Sequence, residues 1–344
     1  MKYEVGADIA SAHTLPGSFY SDREAFERLR ERVFARSWQW LGDLADVAAP
    51  ESLSPRDLLP GMLDEPLLLS RDTGGTLRCL SNVCTHRGNI LVKAPCAAKE
   101  IRCGYHSRRF DLSGRMIFMP EFRDAKDFPS PSDDLPQVAF SRWAGHGFAS
   151  LDPAAPFADF FAGMQAGVDP AAVERFAHDA SRDRDYEVHA NWALYVENYL
   201  EGFHIPFVHA GLNEIVDYGA YRTEIHRWSN VQLAQDKDGA PGAQYWWIFP
   251  NLMLNFYPWG LSVNLVEPLA IDRTVVHFRS YVGDASKLGE GAGGSLDRVE
   301  AEDEAVVQAV ARGVSSRLYT RGRYSPARER GVHHFHRLLA DALA

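Results

Sequence analysis

The chain has 344 residues, enough for two domains or for one large domain with a smaller one attached. Its 36 basic and 46 acidic residues give a formal charge of −10 with no Lys/Arg-rich run, which argues against nucleic acid and anionic membrane as partners. The opening, MKYEVGADIASAHTLPG, carries no apolar signal core, and no uncharged apolar stretch is long enough to span a bilayer, so a cytoplasmic protein is expected.

Ser21-Asp22-Arg23-Glu24 reads as a capping box, and Phe26, Leu29, Val33, Phe34 and Trp38 follow at helical spacing, which predicts an amphipathic helix. From about Trp40 to Asp152 the text changes to short apolar runs broken by Gly, Pro and Asp. One of them, EPLLLS-RDTGG-TLRCLSNV, reads as a hairpin, so this stretch predicts a small β domain. DPAAPFADFFAG then reads as a linker and NWALYVENYLEGFHI as a helix. QYWWIFPNLMLNFYPWGLSVNLVEPLA and TVVHFRSYVG read as strands, the first of them rich in aromatic residues. KLGEGAGGS reads as a flexible loop, and SLDRVEAEDEAVVQAVARGV as a helix capped by Ser295. The fold class is α+β, a small all-β domain beside a larger one that combines a sheet with long helices.

Four cysteines in a chain of this length do not make a secreted disulfide framework. Three of them fall in VCTHRGNILVKAPCAAKEIRCGYHSR, residues 83–108, where Cys84 and His86 form a C-x-H pair and Cys103 and His106 a C-x-x-H pair. Two sulfurs and two imidazole nitrogens suit zinc, and they equally suit a [2Fe–2S] cluster in which each loop supplies one ligand of each kind. Cys79 reads as packed in a strand and Cys96 as a loop thiol.

In the later half, Glu197, Glu201 and His204 stack at i, i+4 and i+7 if the helix continues, with Pro206 stopping it and His209 returning from the following turn. Two histidines near a helix end are ordinary packing residues unless something else joins them. Asp303 does so: Val299, Val306, Val307, Val310 and Val314 define the inward face of the late helix, and Asp303 lies on it while Glu302 and Glu304 point away. An inward carboxylate needs a partner or a metal, and two histidines with one carboxylate make the facial triad of non-haem Fe(II) oxygenases.

Cys84-x-His86, sixteen residues, Cys103-x-x-His106, with Arg87-Gly88 after the first pair, resembles the Rieske [2Fe–2S] motif. The second loop departs from the usual C-P-Y-H-G-W at Gly104, Ser107 and Arg108. From the opening helix to Asp303 the chain resembles the α subunit of the Rieske non-haem iron oxygenases (aromatic-ring-hydroxylating dioxygenases). The resemblance implies an N-terminal helix over 1–39 packed on the catalytic domain, a Rieske domain over 40–152 and a helix-grip catalytic domain over 153–344. It makes His204, His209 and Asp303 the iron ligands, with Asn198 and Glu201 in the pattern N-x-x-[D/E]-x-x-H-x-x-x-x-H. It further implies a head-to-tail homotrimer in which Glu201 bridges His204 to His106 of the next chain, Glu197 being the competitor for that role. Electrons would come from NAD(P)H through a flavin or iron–sulfur reductase, with or without a ferredoxin, and O2 would oxidise a small organic substrate.

For the substrate, Trp246, Trp247, Phe249, Phe256, Tyr257 and Trp259 lie on strands that line the pocket in this family, with Asn251, Asn255 and Asn264 between them. Alternation lets about half of them face it. An aromatic box suits a quaternary ammonium group, and Glu201 within VENYLEGFHIPFVH resembles the choline, betaine and carnitine oxygenase branch. Hydroxylation or oxidative N-demethylation of a methylammonium compound is the leading expectation, aromatic-ring hydroxylation or O-demethylation the second. A ligand-binding cup with a Rieske redox sensor is the reading outside enzymology. His333, His334 and His336 read as helix surface and packing.

Overall fold

The structure is a computed structural model describing residues 3–237, 239, 241–294 and 296–344. It divides into two compact units, one formed by the chain up to Ser37 and from Ala154 onward, the other by Trp38–Pro153. The proposed cap Ser295 lies outside the described residues.

The second unit is built from β1 (Gln39–Asp43), β2 (Ser52–Leu58), β3 (Glu65–Arg71), β4 (Leu77–Ser81), β5 (Cys96–Ala97), β6 (Ile101–Arg102), β7 (Arg109–Phe110), β8 (Met116–Phe118), β9 (Ala139–Trp143) and β10 (His146–Ser150). They pair antiparallel in three small sheets, ordered β4-β3-β2-β5, β1-β10-β9 and β6-β7-β8. The predicted hairpin is β3 and β4, whose partner register runs from Arg71↔Leu77 to Leu67↔Ser81. Cys79 sits buried in β4, and Cys96 is exposed in β5. Leu53, Leu68, Leu80, Ile101 and Phe110 form one apolar core that includes Cys84 and Cys103, so burial of that core fixes both cysteine-histidine loops.

The first unit holds an antiparallel sheet of β11 (Ala177–His178), β12 (Arg184–Val188), β13 (Arg222–Ile225), β14 (Ser229–Gln235), β15 (Pro241–Ile248), β16 (Leu252–Tyr257), β17 (Gly260–Ala270) and β18 (Arg273–Val282). Its order is β11-β18-β17-β16-β15-β14-β13, with β12 also on β18. Gly260 starts β17 at φ +148 against the Tyr281 carbonyl, where a Cβ would collide. Helices Trp192–Tyr199, Leu296–Val314 and Arg330–Leu343 supply the helical partners, the first packing on β17 and on both others. Trp192 anchors them, edge-on to Phe34 at 4.9 Å and to Phe335 at 5.6 Å. Among the described residues no helix is long and apolar enough to cross a membrane.

Several local expectations change. Asp22, not Ser21, caps the opening helix Arg23–Leu29, its carboxylate accepting from the Glu24 and Ala25 amides at 2.9 and 3.1 Å. The expected linker carries Phe160 and Phe161, both fully buried, with Phe160 stacked on Trp228. The glycine-rich loop holds a short helical turn, Gly291–Gly293, in which Ala292 and Gly293 are buried. His336 is fully buried and not on the helix surface: the Tyr324 hydroxyl lies 2.7 Å from its Nδ1, and Glu197 lies 3.1 Å from its Nε2. Tyr20 donates to the same Glu197 oxygen at 2.7 Å.

Replacing Asp22 by Ala should destabilise the larger unit by about 1 kcal/mol, since two helix-terminal amides lose their acceptor. Differential scanning calorimetry should record this as a fall of roughly 2–4 °C in that unit's transition.

Candidate metal centres

In the first site, Cys84 and His86 follow β4, while Cys103, Tyr105 and His106 lie in the turn between β6 and β7. Each loop closes on itself through amides: Gly88 N–H to the Cys84 carbonyl at 2.9 Å, and Ser107 N–H to the Cys103 carbonyl at 3.1 Å. Both thiols are buried, 2% exposed, whereas the two imidazoles reach the surface with rings 4.8 Å apart. The Tyr105 amide and the Asn89 side-chain amide point at the Cys103 sulfur, at 3.4 and 3.6 Å. Burial works against the thiolate there, yet the Tyr105 and His106 amides hold the Cys103 thiol below its ordinary range. His106 Nδ1 is buried and has no hydrogen-bond partner. Paired sulfurs inside, paired nitrogens outside and one orphaned ring nitrogen fit a [2Fe–2S] cluster whose irons differ in ligand type.

The sequence departures in this loop have physical counterparts. Ser107 takes the left-handed conformation, φ +59, at the position where the usual motif has glycine. Arg108, in place of the usual tryptophan, is 2% exposed, pairs with Asp133 and lies over the Phe110 and Phe128 rings at 5.8 and 5.6 Å. A delocalised guanidinium fills an aromatic slot more readily than an ammonium would.

The second site lies where Trp192–Tyr199 ends. The chain leaves the helix at Leu200, and Pro206 opens a new short helix, Ile205–Val208, rather than stopping the old one. Glu201 and His204 are therefore neighbours across a turn, not along a helix. Glu201 Oε1 lies 2.6 Å from His204 Nδ1, while Oε2 accepts the Phe203 and His204 amides. Gly202 is required beneath them, because a Cβ there would meet the Tyr221 ring at 2.6 Å. Glu197, engaged by Tyr20 and His336, is not part of this turn.

One ligand atom each from His204, His209 and Asp303 lie within 4.8 Å of one another, close enough to hold one metal ion. Asp303 Oδ1 accepts from Asn198 Nδ2 at 2.7 Å and is 3.1 Å from His209 Nε2 and 3.5 Å from His204 Nε2. The second nitrogen of each histidine is held by a carboxylate: His204 by Glu201, and His209 by Glu302, 2.7 Å from Nδ1. Such outer partners fix the tautomer and leave Nε2 for a metal. Burial alone would lower the His209 imidazole, but Asp303 and Glu302 outweigh it and raise it. The donor set fits a 2-His-1-carboxylate iron site.

Glu302 was expected to point away and does not. The inward face of Leu296–Val314 is rotated from the valine stripe: Glu300 and Val307 are its buried residues, while Val310 is 43% exposed. The pocket over the three ligands also differs from the expected box. Tyr257, Asn255 and Asn264 line it, but Trp246, Trp247, Phe249 and Trp259 are core residues outside it. Its other aromatic walls, Tyr195, Tyr199, Tyr221 and Tyr245, had no local signal. Register explains their meeting, since Tyr245 faces Asn255 across β15 and β16 and Asn264 faces Phe278 across β17 and β18. Burial raises the Tyr195, Tyr199, Tyr221 and Tyr257 phenols far above their ordinary range, so they remain neutral. Among the described lining residues there is no Lys or Arg.

Comparison with known proteins defines the class. Residues 38–129 match the Rieske [2Fe-2S] domain, and residues 174–239 and 219–344 match the ring hydroxylating alpha subunit (catalytic domain). The chain belongs to the Rieske non-haem iron oxygenase α subunits, enzymes that carry a [2Fe–2S] cluster and a mononuclear iron. Within that family it is similar to the carnitine monooxygenase oxygenase subunit of Escherichia coli K12, 30% identical over 97% of this chain and 95% of that one. It is also similar to the chloroplastic choline monooxygenase of Arabidopsis thaliana, 28% identical over 96% of this chain and 83% of that one. The crystal structure of the quaternary ammonium Rieske monooxygenase CntA with L-carnitine superposes with TM-score 0.79 at 25% identity, covering 97% and 96% of the two chains. Naphthalene 1,2-dioxygenase, at 16% identity and TM-score 0.74, shares the fold.

Two substitutions test these centres. Glu302→Ala should weaken retention of the mononuclear iron about 10- to 100-fold against a chelator while leaving the cluster's visible spectrum intact. Arg108→Ala, by stranding Asp133 and emptying an aromatic slot, should cost about 2–3 kcal/mol in the smaller unit, read as earlier thermal bleaching of the cluster.

Proposed function

We propose that this chain is the oxygenase component of a monooxygenase system that hydroxylates or oxidatively N-demethylates a small quaternary ammonium compound. The observation that carries this reading is the pocket over His204, His209 and Asp303, walled by five tyrosines and lined, among the described residues, by no Lys or Arg. Neutral phenol rings attract a methylammonium through cation–π contacts, and a pocket without Lys or Arg offers an aromatic carboxylate no guanidinium or ammonium to pair with. The similarity to carnitine and choline monooxygenases supports the same substrate class.

In this reading Cys84 and Cys103 hold one iron of the cluster and His86 and His106 the other, while His204, His209 and Asp303 hold the mononuclear iron. When bound, that iron activates dioxygen with electrons that a separate NAD(P)H-dependent reductase supplies through the cluster. The chain's own residues provide the setting. Asn198 orients Asp303, Glu201 and Glu302 fix the two imidazoles, and the tyrosines exclude water from the space over them. The net change is one substrate C–H converted to C–OH, with the second oxygen atom leaving as water at the expense of two electrons and two protons. On an N-methyl group the resulting hemiaminal releases formaldehyde.

We further propose a head-to-tail homotrimer working in the cytoplasm, in which Glu201 links His204 to His106 of the neighbouring copy. Exposed aromatic rings beside both sites support it: Tyr105, 60% exposed, lies against His106, and Phe203 and Phe207 flank His204.

With a reductase present, oxygen uptake should depend on a trimethylammonium compound such as choline; dependence on aromatic carboxylates alone would overturn the substrate reading. Iron analysis should give about three irons per chain, falling to about two in Asp303→Ala with the Rieske electron paramagnetic resonance signal retained. Two irons in both proteins would remove the oxygenase mechanism.

A further inference from the structure

Glu300 stands one helical turn before Asp303, lines the same pocket and is 4% exposed. Its Oε2 accepts the Tyr195 hydroxyl at 2.8 Å, whereas its Oε1 is buried with no hydrogen-bond partner. Leaving such an acceptor unsatisfied costs about 1–3 kcal/mol, so a group that enters the pocket and answers it is stabilised there.

The chain itself supplies no answering charge. Among the described residues, no Lys or Arg lines the cavity. Of the other carboxylates, Glu302 has Arg298 at 3.0 Å and His209, and Glu201 is taken up by His204 and two backbone amides. Asp303 and Glu201 together match the two charges of the divalent metal that the site fits, which leaves the Glu300 carboxyl without an answering charge. Burial pushes its carboxyl up to about 8, as expected for an acid awaiting a counter-charge.

The walls around it favour one kind of occupant. The Tyr199 and Tyr245 rings are 6.5 Å apart at 86°, and Tyr245 and Tyr257 are 6.0 Å apart at 80°, so ring faces are presented in perpendicular directions. A quaternary ammonium has no N–H to donate. It can pack its methyl groups on those faces and meet a carboxylate through charge and C–H···O contacts, which an oxygen without a hydrogen-bond donor accommodates.

Resting on the substrate class proposed above, we propose that Glu300 is the counter-ion of the substrate's ammonium group and selects a methylammonium cation whose other end is uncharged. A zwitterion would bring a carboxylate that finds no Lys or Arg in the described lining, so a choline-like alcohol fits the pocket better than a betaine-like acid.

The test is equilibrium binding by isothermal titration calorimetry to the iron-loaded protein with its cluster. The ligands are choline, its uncharged carbon isostere 3,3-dimethylbutan-1-ol, and glycine betaine. Wild type should bind choline about tenfold or more tighter than either of the others. In Glu300→Gln the preference over the isostere should shrink to about twofold, with isostere affinity, iron content and visible spectrum unchanged. Should that variant fail to fold, the double variant Glu300→Leu with Tyr195→Phe, which removes the acid and its buried hydroxyl partner together, carries the same comparison.

A variant that keeps the full cation preference would overturn the role of Glu300 alone. A wild type that binds the isostere as tightly as choline would overturn the quaternary ammonium reading and this inference with it. A wild type that binds betaine as tightly as choline would overturn the selection for an uncharged far end.

Discussion

The larger unit depends on how two inward-facing carboxylates on one helix are answered. Glu300 and Asp303, three residues apart, face inward from Leu296–Val314, and Tyr195 and Asn198, also three residues apart, face them from Trp192–Tyr199. The two pairs, Tyr195 with Glu300 and Asn198 with Asp303, join the helices at matched spacing. A shift of one residue along either helix would strand both carboxylates in an apolar setting. Register between the helices is thus set by polar satisfaction, while the aromatic packing of Trp192 on Phe34 and Phe335 adds apolar burial.

That fixed register is what allows the following segment to be irregular. Once Asn198 is tied to Asp303, the chain can leave the helix at Leu200, turn under Glu201 and present two histidines from separate short elements. A continuous helix would carry His204 and His209 round to different faces, since five residues advance the helix by well over one turn. The break, with Gly202 tucked against Tyr221 and Pro206 restarting the chain, brings their rings to 5.0 Å. Backbone irregularity is confined to where ligands must converge, and the sheet and helices around it are regular.

The metal loops were legible because ligand spacing is a local property: C-x-H and C-x-x-H each fit within one turn, and their meeting needs only a small core beneath them. Asp303 was legible because a carboxylate within a valine stripe is conspicuous. Glu300 was hidden by its company, being one of four acids in Glu300-Ala301-Glu302-Asp303-Glu304. A stripe drawn from Val299 through Val310 to Val314 turned the expected face away from it, whereas the actual inward face runs through Glu300, Asp303 and Val307. The pocket's tyrosines come from a helix, a loop and separate strands, and only pairing such as Tyr245 opposite Asn255 places them together, which no single segment encodes. Pro206 was ambiguous in principle, because proline both ends a helix and favours the first turn of the next.

The two centres also differ in how they treat water, and the difference follows from composition. At the first, thiols are buried and imidazoles reach outward, with Tyr105 lying 3.7 Å from His106 as an exposed ring. At the second, the ligands sit beneath neutral phenols, and the exposed rings are displaced to Phe203 and to Phe207, 79% exposed, beside the turn that carries His204. Large apolar rings left in water next to polar, hydrogen-bonded loops are costly unless a partner covers them. Head-to-tail contact between copies would set the imidazole edge of one chain against the carboxylate turn of another and shield both from water. The exposed rings of each unit, taken by itself, support the proposed head-to-tail assembly, and the same contact would exclude water along the route proposed for electrons.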